Sequence, residues 1–459
     1  MSSVNSERFS RVTSNLILPM TAAAISIPVV MFNVIGYDIN PAFLLAPLIA
    51  IAFFMNIGLT GFLYILSALC GAASIFAVNM ISPDGEVTRH IFALILILFA
   101  PSFLFLGKMV ARRVEVSKVL LWLSVFSSIF VFVVAARILL LEQDVRIYVG
   151  PLGLASMNAE FFGLPVFASF GVLSLAHLIC LQTMIICGSF VGGSYRYPTM
   201  VALGISLFCG TLLVVGSDSR SAQVLLVWIA GTVIAYAIKE RGFTTKSSIA
   251  LFLIISASLV GYSRMGESRM VESIAGISTP SKVVTSKENS SDKKGSEAAD
   301  QGIAPSDSSD STGTESIIVE KADAFATGRV ELAIEGFREV KASPFLGNGF
   351  SSYGRYAEAG EKSQALSMNS STHIYYLTLL WKGGLLFFIP FIAMLLINFK
   401  NCLLARHNTA ATPERFYSWS AVLMAFGPMA MAWDILIVPS AGALAFFLFG
   451  MLAARSRVL

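Results

Sequence analysis

Apolar runs of about twenty residues recur along this chain, and they constrain its fold more than any other feature. Twelve can be read, each good to a few residues: 15–35, 42–58, 60–80, 90–108, 119–141, 166–190, 199–216, 221–238, 247–262, 373–398, 416–433 and 435–453. A helix of about 20 apolar residues spans the ~30 Å hydrocarbon core of a bilayer. Lipid offers the backbone no hydrogen-bond partners, so a crossing segment is a helix or a strand of a closed barrel. A barrel would need alternating segments of about ten residues, and these are absent. With 56% hydrophobic and only 13% charged residues, the composition is also far from that of a soluble domain. The expected fold is all-α: a polytopic membrane bundle of about 12 transmembrane helices.

Loop charges orient the bundle. One set of loops carries Arg8 and Arg11, then Lys108, Arg112, Arg113 and Lys118, Arg196, Lys239, Arg241 and Lys246, Lys400, Arg406 and Arg415, and finally Arg455 and Arg457. The short loops opposite hold only Arg89, Arg146 and Arg220. The positive-inside rule then puts both termini in the cytoplasm. The first apolar run continues through Val34 without a small-residue cleavage site and reads as a retained signal anchor. The net charge of +4 is thus mostly a topology signal, and no basic tract suits nucleic acid. The five cysteines, Cys70, Cys180, Cys187, Cys209 and Cys402, fall in spans or near the inner side, so no disulfide framework is indicated.

Three regions follow: residues 1–261 with spans one to nine, an external loop at 262–372, and residues 373–459 with spans ten to twelve. Within the loop, Ser281 to Ser316 is rich in Ser, Asp, Lys, Gly and Thr, and a segment with so little apolar surface is expected to be disordered. Residues 322–341 place Phe325, Leu332, Ile334, Phe337 and Val340 at helical spacing between charges, which predicts an amphipathic helix ending before Pro344.

Candidate chemistry gathers around this loop. Arg220 lies in Ser217-Asp218-Ser219-Arg220-Ser221, between spans seven and eight. An arginine suits a phosphate because its fork donates two parallel hydrogen bonds and stays charged; the plainer alternative is an interfacial arginine paired with Asp218. Arg329 has the same two readings, since Glu331, Glu335, Arg338 and Glu339 would make a solvated charged face around it. His373 stands at the lip of the tenth run, where it could take a proton from a hydroxyl or simply cap a helix. His177 reads as a hydrogen-bonded structural group, and His90 and His407 need no special role. Arg137, Lys382 and Asp434 are the other charges at membrane depth, where charge is costly and often functional. Arg137 can snorkel outward, and Asp434 could orient His373 or an arginine. No phosphate-binding Gly-rich loop or acidic metal cluster is evident, so neither a cofactor nor a metal is expected.

The order Ser219-Arg220, Gly328-Arg329, Pro344-Phe345-Leu346-Gly347-Asn348-Gly349, then His373 with Gly384 beyond it, resembles the O-antigen ligase and polysaccharide polymerase superfamily. Arg146-Ile147-Tyr148-Val149-Gly150-Pro151 with Asn158 is similar to a stretch that members carry before their sixth span. The resemblance covers roughly residues 146–387. It implies a glycosyltransferase in a bacterial inner membrane, taking a glycan from undecaprenyl pyrophosphate at the outer, periplasmic face. Arg220 and Arg329 would bind the pyrophosphate and His373 would serve the acceptor hydroxyl. Arg146, Arg338, Asp434, Gly347 and Gly349 would support them, the amphipathic helix acting as a mobile lid that places Arg329. Implied partners are the lipid-linked donor, a glycan or lipid A-core acceptor, the bilayer itself, and chain-length regulator proteins. Ile374 follows the histidine where ligases carry Asn, Ser or Gln, which favours a polymerase over a ligase. A transporter or flippase would place polar residues and broken helices at mid-membrane, and a scaffold would need no such residues.

Overall fold

The computed structural model of the chain describes residues 16–29, 31–34, 37–81, 87–143, 145–146, 158–162, 164–167, 172–217, 219–265, 329–350, 372, 374–407, 412–432 and 434–454. Two compact units are formed, one of Met1–Gly266 with Leu332–Leu459 and one of Glu267–Glu331. Of the second, only Arg329–Glu331 are described, as the opening turn of a helix. Ser281 to Ser316 and residues 322–328 lie outside the described residues.

The fold is an all-α polytopic membrane bundle. Its helices are α1 (Leu18–Ser26), α2 (Ala46–Met55), α3 (Leu59–Ile81), α4 (Val87–Ala111), α5 (Val116–Ala135), α6 (Val172–Gly192), α7 (Tyr197–Gly216), α8 (Arg220–Lys239), α9 (Thr245–Met265), α10 (Arg329–Ala342), α11 (Tyr375–His407), α12 (Pro413–Met424) and α13 (Pro439–Ala453). Among the described residues, eight are long and apolar enough to cross a membrane: α3 to α9 and α11. Expected spans two and twelve appear as shorter apolar helices, Pro41–Met55 and Pro439–Ala453. Span eleven is α12 continued through a π-turn, Ala425–Met429, to Ala432. Pro428 sits in that turn, where its missing N–H breaks the regular ladder.

The first expected span, 15–35, is not one helix. α1 stops at Ser26, and Ile27 is extended (φ −109°, ψ 108°) because it precedes Pro28, which disfavours the helical conformation. The chain then forms a short antiparallel hairpin, β1 (Phe32–Val34) with β2 (Tyr37–Ile39). A second small sheet precedes α6: β5 (Leu164–Phe167) pairs parallel with β3 (Val145–Arg146) and antiparallel with β4 (Asn158–Phe161).

Small residues set the closest packing. A Cβ on Gly107 of α4 would lie 2.1 Å from the Phe447 carbonyl oxygen of α13, and one on Gly450 would lie 2.1 Å from that of Leu104. Backbone meets backbone there, as is common between membrane helices, where van der Waals contact replaces the hydrophobic drive. α13 is buried on every side. Outward faces carry large apolar residues such as Phe54, Met80, Val227, Leu259 and Ile389, all more than half exposed and suited to lipid.

The bundle has two chemically distinct ends. At one, Lys108 and Arg415 lie within Coulombic reach of Cys402, Lys246 donates to the Gly193 carbonyl, and Lys239 lies 5.5 Å from the Phe416 ring. The basic loops of the sequence therefore meet. The opposite end gathers the C-termini of α3, α7 and α9 and the N-termini of α4, α8 and α11. Gln223 donates to the Val215 carbonyl (3.1 Å) and accepts from Tyr262 (3.2 Å), tying α7, α8 and α9 together there.

Candidate functional site

α11 is two helices meeting at Gly384. Its φ of 60° and ψ of −174° lie in a region open essentially to glycine alone. A break inside a membrane helix strands amides and carbonyls that lipid cannot satisfy. Here the Pro344–Phe350 loop satisfies them. The Asn348 and Gly349 amides donate to the Trp381 and Lys382 carbonyls, each at 2.9 Å. The Leu385 and Leu386 amides donate to the Pro344 and Phe345 carbonyls at 2.8 and 3.1 Å. The loop thus fills the break as a short strand of backbone would.

Glycines make this approach possible. Gly347 and Gly349 have φ of 68° and 88°. A Cβ on Gly347 would lie 2.5 Å from the Gly384 nitrogen, and one on Gly349 would lie 2.7 Å from the His90 ring. Both were expected as supporting residues; their role in the structure is to let two backbones touch. Ser74 of α3 donates to the Leu346 carbonyl, fixing the loop from the other side.

Charged groups surround the insertion. Lys382, buried, donates to the Phe350 carbonyl (2.9 Å) and lies 5.3 Å from the Trp381 ring. Asp434, also buried, accepts from Thr378 Oγ1 (3.0 Å) and lies within Coulombic reach of Lys382. Thr378 in turn pairs with Thr372 Oγ1 at 2.9 Å and accepts from the Thr372 amide at 3.1 Å. These bonds fix the residue just before His373; His373 itself lies outside the described residues.

The amphipathic helix was expected at 322–341, and its described part, α10, runs from Arg329 to Ala342. It docks by Gly336, where a Cβ would lie 2.4 Å from Thr372 Cγ2. Glu339 corrects the expectation of a solvated charged face. It is 5% exposed, and its Oε2 accepts from Asn348 Nδ2 at 2.7 Å. Arg338 beside it is exposed. The side chain of Arg329 lies outside those described.

Arg220 is half-buried at the first position of α8. Ser219 caps this helix, its Oγ accepting from the Ala222 amide at 3.4 Å. Arg146 occupies β3, paired in register with Phe167 just before α6. Arg220, Arg146, Arg338, Asp434, Gly347 and Gly349 therefore all belong to the non-basic end of the bundle. Sequence reasoning named Asn348 only within its motif and Glu339 only on a charged face, and it missed Ser74 and Thr378 as members of this cluster. Arg137 bonds Gln143 (3.3 Å) at an exposed position, as a snorkelling side chain does.

Residues 205–392 match the family model described as O-antigen ligase. That stretch contains Arg220, the inserted loop and the broken half of α11. A comparison with curated proteins finds no match to the chain.

Proposed function

From the kinship of residues 205–392 with the O-antigen ligase-related superfamily, we propose that this integral membrane protein transfers a glycan from undecaprenyl pyrophosphate to an acceptor sugar hydroxyl. The acceptor is a growing surface polysaccharide, so the reaction polymerises repeat units. The non-basic end of the bundle faces the periplasm, and the basic end with both termini faces the cytoplasm, in accord with the loop charges.

In this mechanism the acceptor oxygen attacks the anomeric carbon, forming the new glycosidic bond as the bond to the pyrophosphate oxygen breaks. Undecaprenyl pyrophosphate leaves with the electron pair. His373 takes the hydroxyl proton. Arg220 and Arg329 hold the pyrophosphate and neutralise the charge that grows on it, which is electrostatic stabilisation of the departing group. The position of Arg220 supports its role: it stands in the first turn of α8, and a helix N-terminus favours an anion. Aligning two lipid-borne substrates supplies much of the remaining rate.

The observation that carries this reading is the shared end of the bundle. Arg220, the inserted loop and the Thr378–Asp434 pair, which holds Thr372, all belong to it. The test uses a strain deleted for this gene and complemented with wild type, Arg220→Ala, Arg329→Ala or His373→Ala, with membrane abundance checked for each. Surface glycan is then resolved by size. Loss of long chains with single repeats retained on lipid A-core is the expected result. Full-length chains held on the undecaprenyl carrier would make the protein a ligase instead. Unchanged glycan in all three variants would remove these residues from the mechanism.

A further inference from the structure

The basic end of the bundle holds an unexplained charge. Lys108, in the last turn of α4, is 7% exposed. Its ammonium donates to the Thr60 hydroxyl at 3.2 Å, with Cys402 and Arg112 as its charged or titratable neighbours. Arg415, half-buried at the start of α12, points its field at the same cysteine. No carboxylate among the described residues pairs with either cation. Glu414, next to Arg415 in the chain, packs elsewhere: a Cβ on Gly192 would lie 2.9 Å from its Cδ, and it faces Tyr195 and Tyr236. A buried ammonium that, among the described residues, bonds a hydroxyl and has no carboxylate beside it is costly unless an anion joins it.

The site also has a lipid-facing wall. Leu59 and Phe62 flank Thr60 on α3 and are 60% and 58% exposed. Leu403 and Leu404 follow Cys402 on α11 and are 48% and 47% exposed. A cationic group at the headgroup level of a helix bundle, with apolar surface beside it, has the chemistry of an anionic-lipid site. Eighteen residues separate Lys108 from His90 on α4, so this site is about 27 Å along the helix from the candidate catalytic end.

We infer that Lys108, Arg415 and Thr60 form a binding site for the phosphate of an anionic phospholipid headgroup, with the acyl chains lying along Leu59, Phe62, Leu403 and Leu404. Arg112, exposed on the same turn, forms the outer rim. The ligand stabilises the folded bundle because it neutralises Lys108 only when α3, α4, α11 and α12 are assembled.

The full-length protein is reconstituted in nanodiscs of phosphatidylcholine alone or with phosphatidylglycerol, and its Tm is followed by intrinsic fluorescence. Phosphatidylglycerol is expected to raise the wild-type Tm. Arg415→Gln, a half-buried substitution that leaves the core untouched, is expected to lose most of that rise, and Lys108→Met all of it. Inorganic phosphate added to phosphatidylcholine discs is expected to have no effect. A rise with inorganic phosphate alone would replace the lipid by a soluble anion. No rise in the wild type, or an equal rise in Arg415→Gln, would overturn the site.

Discussion

Gly384→Ala tests whether the Pro344–Phe350 loop is wedged into α11. A Cβ at this position would lie 2.3 Å from the Phe345 oxygen, 2.4 Å from its carbon and 2.5 Å from the Gly347 nitrogen. All three are backbone atoms, so no rotamer change relieves the collision. The backbone conformation itself costs a non-glycine residue about 1–3 kcal/mol. If the loop withdraws, its four hydrogen bonds with α11 are lost, at about 1 kcal/mol each. The sum is roughly 5–7 kcal/mol, which at about 2 °C per kcal/mol for a chain of this size predicts a Tm lower by roughly 10–14 °C. The assay heats detergent-solubilised protein in steps and measures the monodisperse fraction that survives. Gly231→Ala is the control: a Cβ there meets nothing within 4 Å, and α8 should gain up to about 1 kcal/mol in helix propensity. A Gly384→Ala protein that melts with Gly231→Ala would refute the wedge.

Asn348→Leu removes a hydrogen bond to the buried Glu339 carboxylate and should cost about 1.5–3 kcal/mol in the same heating assay. Gly450→Ala drives a methyl into the Leu104 carbonyl and should lower Tm by an amount equivalent to about 1–3 kcal/mol, with Gly107→Ala behaving alike from the facing helix. Arg220→Lys keeps the charge but loses the two-pronged donor, so long-chain glycan should fall about tenfold or more on a quantified gel at unchanged membrane abundance. Arg338→Ala alters an exposed side chain and should leave Tm within about 0.5 kcal/mol-equivalent of wild type.

Much of the helix plan was legible because twenty-residue apolar runs are local signals. α3 to α5 and α7 to α9 follow them within a few residues, while α6 starts six residues later and α11 runs nine residues further. The first run misled because hydropathy counts Pro28 as just another apolar position, whereas its ring ends α1 at Ser26. Gly384 was visible only as part of a motif. That it marks a break depends on a loop some 35 residues earlier that supplies the lost hydrogen bonds, and no local pattern encodes that pairing. Glu339 was misread for a similar reason. On a helical wheel it joins the charged face of α10, but Asn348, beyond the end of that helix, draws it inward. Ser74 and Thr378 were invisible because a hydroxyl in an apolar helix most often bonds its own backbone.

The interleaving of the loop with α11 also bears on how the chain is made. Residues 344–350 precede Gly384, so during synthesis the segment that completes the broken helix emerges before the helix that needs it. A tenth span arriving first would bring unpaired amides and carbonyls into the bilayer and wait there at a cost of several kcal/mol. Because the patch comes first and only a few tens of residues separate it from the gap, the closure is short in sequence and entropically cheap. The order of elements along the chain thereby gives α11 a ready-made seam at the moment it inserts.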